Sequence, residues 1–103
     1  MGLLFWRDNK ELELFADKLA AEFRGVIPPG MPESQFDKKT RMRVSRAAEN
    51  MTGKARDYRS HNRMGIYKKA RIAQYFGNNL AQMEIHDDIV QRMRQQLLMA
   101  LAG

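Results

Sequence analysis

The sequence predicts an all-α fold, a small four-helix domain, and three observations lead there. Apolar residues recur at steps of three and four along four separate stretches, the period of a helix with one buried face. Strict apolar–polar alternation, the mark of a half-buried strand, persists nowhere. All three prolines, Pro28, Pro29 and Pro32, fall in one short segment, so the periodic stretches on either side contain no helix breaker. The chain has 103 residues, enough for one core that removes about two-thirds of the unfolded surface from water. Its 44% apolar and 29% charged fractions are those of a soluble globular protein. Residues 1–103 read as a single helical domain.

The first helix is expected over residues 9–24. Leu12, Phe15, Ala16, Leu19 and Phe23 form one stripe along it. Asp8 and Glu11 stand three apart ahead of the stripe and resemble a capping box with Asp in place of Ser or Thr. Gly25 is suited to end the helix, since without a Cβ it accepts a left-handed conformation. Residues 25–32 then form a Pro/Gly connector.

The second helix is expected over residues 33–60, with Ser34 and Asp37, three apart, together forming a candidate cap at its start. Phe36, Thr40, Val44, Ala47, Met51, Ala55 and Tyr58 keep phase through Gly53, which predicts one continuous helix. At 1.5 Å per residue it is roughly 39 Å long, and part of it is expected to project from so small a domain. Residues 61–65 read as a turn. A third helix over 65–83 carries Ile66, Ala70, Ala73, Phe76, Leu80 and Met83 as its buried stripe, with Gly77 available for close helix approach. After a turn at Glu84, Ile85 and His86, Asp87 is expected to cap a fourth helix over 87–101, and Asp88 suits the positive end of its dipole. Val90, Met93, Leu97, Ala100 and Leu101 face inward there. Helices joined by either short turn are expected to pack as antiparallel neighbours, the second with the third and the last two as a C-terminal αα-hairpin.

The net charge of +6 is concentrated in the middle of the chain. Residues 31–75 hold twelve basic and four acidic side chains, whereas the segments on either side are each slightly acidic. The second helix is therefore both long and basic. At about 100° per residue, Lys38, Arg41, Arg56, Arg59 and Arg63 fall within roughly 60° of one another beside the apolar stripe. Lys39, Arg43 and Arg46 lie on the other flank, and Lys68, Lys69 and Arg71 open the third helix. Lys38, Arg41, Arg56, Arg59 and Arg63 on that edge, with Lys68, Lys69 and Arg71, are the candidate residues for an anionic partner, and arginines suit bidentate phosphate contacts. The competing account is a solvated helix whose Lys and Arg stems cover apolar neighbours.

Motifs of other chemistries are missing. There is no cysteine, hence no disulfide or thiolate chemistry. The two histidines, His61 and His86, have no metal-ligand spacing, and Glu84, Asp87 and Asp88 beside His86 read as capping residues. Ser34, Ser45 and Ser60 stand in no nucleophile motif, and no glycine-rich phosphate loop follows a strand. No cofactor is expected. The hairpin has a helix-turn-helix outline, but Asp87 and Asp88 would present negative charge to a DNA groove. Eight methionines are many for this length; Met51, Met83 and Met93 lie on stripes, Met31, Met42, Met64 and Met99 are scattered, and core filling is the expected role. Tyr67 and Tyr75 fall off the third stripe, near basic residues, where packing or a partner contact is expected.

The reading is a small non-enzymatic interaction module whose basic middle docks an acidic protein or assembly. A binder of RNA or DNA backbone is the alternative. A membrane surface is a weaker candidate partner, and a second copy of the chain is a further one. The apolar start, Leu3, Leu4, Phe5 and Trp6, is too short for a signal peptide, and Trp6 stands where a myristoylation motif needs Ser or Thr. No run approaches the ~18 apolar residues that cross a bilayer, so the cytoplasm is the expected compartment.

Those four N-terminal side chains form a candidate hydrophobic contact. Burying each is worth about 1.5–3 kcal/mol, and residues 1–30 lack the excess of cations that anionic lipid favours. The segment is therefore expected to cover the protein's own core or a protein partner, with Trp6 shielded. Trp6 is the only tryptophan, so its fluorescence checks this alone: blue-shifted, poorly quenched emission in lipid-free buffer is expected. Red-shifted emission that turns blue only with liposomes would reverse the conclusion.

Overall fold

A computed structural model describes the backbone of residues 2–103 and side chains from residue 9 onward. Its helices are α1 (Gly2–Ala21), α2 (Lys38–His61), α3 (Ile66–Gln82) and α4 (Asp87–Ala102), with a short 3₁₀ turn at Glu33–Gln35. No strand occurs among the described residues. The architecture is the all-α, four-helix domain that the periodicity predicts. The packing runs α1–α3–α4–α2, most extensive between α1 and α3 and lightest where α1 meets α2. The two helices joined by residues 62–65, α2 and α3, scarcely touch, so only α3 and α4 make a packed hairpin. Beside it, α4 runs in the same direction as α2: Arg92 pairs with Glu33 ahead of α2, and Arg59 near its far end lies against Gly103.

Nearly the whole buried set forms one cluster. Leu12, Ala16, Leu19 and Phe23 meet Phe76 and Leu80 of α3, and Met51 and Ala55 of α2 meet the α4 residues Met93, Leu97 and Leu101 within it. Phe23 and Phe76 contact edge to face at 6.0 Å, a geometry that places positive ring edge on negative ring face. At the α1–α2 seam, Phe15 stacks on Tyr58 at 3.9 Å and Lys54 bonds Glu22 at 2.5 Å.

Several boundaries differ from the expectations, each for a local reason. Helix α1 begins at Gly2 and ends at Ala21, so Asp8 is a helix-interior residue and not the expected cap. Gly25 does adopt a left-handed φ of 74°, in the turns that follow the helix. Helix α2 starts five residues later than expected, because Phe36 is extended and buried in the core. Asp37 then restarts the chain as N-cap, accepting from the Thr40 N–H at 2.8 Å, while Ser34 is exposed on the 3₁₀ turn. Beyond that cap α2 is unbroken through Gly53. In α3 the expected buried residues Ile66 and Ala70 are exposed, Ile66 at 86%. The core reaches this helix only from Ile72, which the six-residue stripe omits. In α4 the cap is His86, whose Nδ1 accepts from the Asp88 N–H at 3.3 Å, and Asp87 is the first helical residue.

The turn between α3 and α4 is a left-handed helix stop. Ile85 N–H reaches Leu80 C=O and Glu84 N–H reaches Ala81 C=O, the paired bonds of a Schellman motif. Glu84 occupies the left-handed position with φ 62°, where glycine is favoured. Its carbonyl also accepts from Gly30 N–H at 2.8 Å, tying the connector to the hairpin.

Two substitutions that exchange glycine in opposite senses should both stabilise the fold. Gly53 lies inside α2 with nothing near the position of an added Cβ. Gly53→Ala should gain about 1 kcal/mol, read as a raised midpoint in urea unfolding. Glu84→Gly should also raise the midpoint: relief of roughly 1–2 kcal/mol of left-handed cost is partly offset by glycine's greater freedom when unfolded. A lowered midpoint in either variant would contradict the open space beside Gly53 or the left-handed backbone of Glu84.

The Asp37 cap should be visible in pH dependence. The Thr40 side chain and the Thr40 N–H lower the Asp37 carboxyl from its ordinary pKa, against desolvation and with help from Lys39 and Arg41. A group whose folded pKa is depressed stabilises above its unfolded pKa, and that stability is lost as pH falls through the folded value. Asp37→Ala should therefore melt lower than the parent at neutral pH, with the gap narrowing in acid. A gap independent of pH would assign the effect to packing.

Candidate anionic-partner interface

The first turns of α2 carry an unusual charge arrangement. No acidic residue stands in the first helical turn, although the positive end of a helix dipole favours one. Lys38 and Lys39 open the helix instead, Arg41 and Arg43 follow, and Asp37 is the only adjacent anion. The residues Lys38, Lys39, Met42, Arg43 and Arg46 line one open groove of about 440 Å³. All five are exposed, Met42 at 59%. None of the four cations is in an ion pair with a described carboxylate, in contrast to Lys54 with Glu22 and Arg92 with Glu33.

Helical geometry explains the grouping. Relative to Met42, Lys38 and Lys39 lie four and three residues back, Arg46 lies four ahead, and Arg43 is the next residue. Positions three and four apart share a helix face, so Met42 is ringed by cations. This face points away from Val44, Ala47, Met51 and Ala55, the buried side of α2.

The eight expected binding residues do not gather into one site. Lys38 belongs to the groove around Met42. Arg41 lines a different one of about 270 Å³ between α2 and α4, with Glu33, Phe36 and Arg92 among its walls. Arg56 is exposed on α2, Arg59 is half-buried beside Gly103, and Arg63 is exposed in the turn after α2. Lys68 and Lys69 are half-buried at the start of α3. Arg71 is engaged within its own helix: it donates to Gln74 at 3.0 Å and to the Tyr75 hydroxyl at 2.5 Å, and its guanidinium lies 4.6 Å from the Tyr75 ring centre. The side chains of Leu3, Leu4, Phe5 and Trp6 lie outside the described residues.

The expected residues thus omit most of the one basic groove. Lys39, Arg43 and Arg46 stand on the opposite flank of the stripe from the expected edge, and Met42 is one of the scattered methionines. Their angular position on the wheel, away from the buried stripe, is the signal that the sequence offers.

A third groove, of about 560 Å³, opens along the light α1–α2 seam. Leu14, Phe15 and Tyr58 provide its apolar lining, and Glu11, Lys18, Lys54 and Asp57 give it charges of both signs. Among the described residues no three His, Asp or Glu side chains are grouped to hold a metal ion. No described helix is long and apolar enough to cross a membrane. Compared with known families, curated proteins and solved structures, the chain matches none of them.

Proposed function

We propose that the protein is a small non-enzymatic interaction module that docks an acidic protein partner or assembly through the outward face of α2. The observation that supports this reading is the groove in which Lys38, Lys39, Arg43 and Arg46 surround exposed Met42 without an ion pair to any described carboxylate. Of the four, Lys38 and Lys39 stand in the first turn, where the positive end of the helix dipole disfavours cations, so an anionic partner relieves a cost that these two carry in the free protein. Nucleic acid offers the same sign of charge. It is less favoured because the groove contains no aromatic side chain to stack on a base.

Purified protein should bind polyglutamate in low salt, and Lys39→Glu with Arg43→Glu and Arg46→Glu should weaken that binding at least about tenfold. The pair Arg56→Glu and Arg63→Glu, on the far half of α2 and the turn after it, should change it much less. Circular dichroism controls for folding. Equal losses from the two sets would remove the groove from the proposal. Tighter binding to duplex DNA, with a log–log salt slope of about −0.9 per neutralised phosphate, would transfer the function to nucleic acid.

A further inference from the structure

Resting on that reading, we infer that the groove takes an acidic helical segment of a partner protein carrying one apolar residue, which seats on Met42 while its carboxylates meet the four cations. Charge alone does not require a methionine at the centre. A purely electrostatic surface would gain nothing from an apolar side chain left 59% exposed on the outward face of a helix. Here the thioether lies among the aliphatic stems of Lys38, Lys39, Arg43 and Arg46, which can cover apolar surface while their charged heads reach outward. The floor is apolar and the rim cationic. Its complement has the inverse pattern, an apolar side chain with anions at neighbouring helical positions.

The rim spacing selects the shape of that complement. Lys38, Met42 and Arg46 follow one row at intervals of four residues, about 6 Å apart along the axis. A partner helix presents side chains at the same interval, so a leucine on one turn with glutamates on the turns beside it matches apolar to apolar and charge to charge. The unbranched thioether adapts to different aliphatic partners. Phosphodiesters do not fit equally well, since a phosphate over Met42 would lose water without an apolar contact in return. A bilayer surface needs a broad apolar helix face, and this face has one such residue within its cationic ring.

The test uses two labelled alanine-based helical peptides that carry glutamates on one face and differ at a single central position of that face, leucine in one and serine in the other, titrated by fluorescence anisotropy against the full chain. The leucine peptide should bind about tenfold tighter, the scale expected when part of an aliphatic side chain is buried. Met42→Ser should remove most of that advantage and leave the serine peptide's affinity nearly unchanged. Met99→Ser alters a still more exposed methionine on α4 and should change neither affinity. Raising the salt should weaken both peptides while their ratio persists, because screening acts on the charges alone. Equal affinities for the two peptides would overturn the apolar anchor and leave the anion-binding module standing. Failure of both peptides, with binding to duplex DNA or to phosphatidylserine-containing vesicles, would overturn the anchor and the proposed function together.

Discussion

The bond from Gly30 N–H to Glu84 C=O, 2.8 Å long, joins the two parts of the chain whose relative placement decides everything else. On one side is the connector, and on the other the left-handed stop of α3. Ile27 and Ile85, near the two ends of the bond, are both buried. With the connector held at this end of the hairpin, Phe36 enters the core and α2 begins beside α4. That alignment turns Val44, Ala47, Met51 and Ala55 inward and leaves the cationic residues of the first turns facing out. Glu84 accepts a left-handed backbone because both chain reversal and the connector bond depend on it.

The same arrangement explains why α1 and α2 meet lightly. Helix α1 buries most of its apolar surface against α3, and α2 buries its own against α4. Among the described residues the seam includes an aromatic stack, Phe15 on Tyr58, and, just past the end of α1, an ion pair of Glu22 with Lys54. The ion pair is partly exposed, so screening leaves it little weight. The stack carries the seam, and the α1–α2 groove opens over it.

Most of this fold is legible in the sequence, because a continuous apolar stripe records which helix face is buried. The stripe of α2 keeps phase through Gly53, and the helix is continuous there. Helix ends are less legible. Asp8 with Glu11 has a cap's spacing, but a favourable cap does not prevent preceding residues from joining the helix. Ile66 and Ala70 lie within about 60° of buried Ala73 on the wheel, yet both are exposed; periodicity gives the angle of a residue, never the reach of its neighbours. Much of the candidate site escapes the sequence for a related reason. The wheel collapses a helix onto one circle, so Lys38, Arg41, Arg56 and Arg59 look contiguous although they are spread along the axis. Grouping by axial neighbours places Lys39, Arg43 and Arg46 around Met42.

Distance along that axis also separates the basic groove from Lys54, Arg56 and Arg59, whereas Arg41, at the same height, faces the α2–α4 side instead. From Arg46 to Arg56 the helix rises about 15 Å, beyond the ~8 Å over which exposed charges act at physiological ionic strength. Lys38, Lys39, Arg43 and Arg46 lie within little more than two turns, so their fields add at one point. Farther along, Glu49 and Asp57 interrupt the positive face. The first half of α2 is therefore an electrostatic unit of its own, and a rigid one. Asp37 caps its start, Phe36 anchors the chain just before it, and Val44 and Ala47 pack beneath it. A ligand that docks there meets a preformed helix and incurs no cost of ordering backbone. What it must still order is the four long side chains, and their stems already share the Met42 groove with one another.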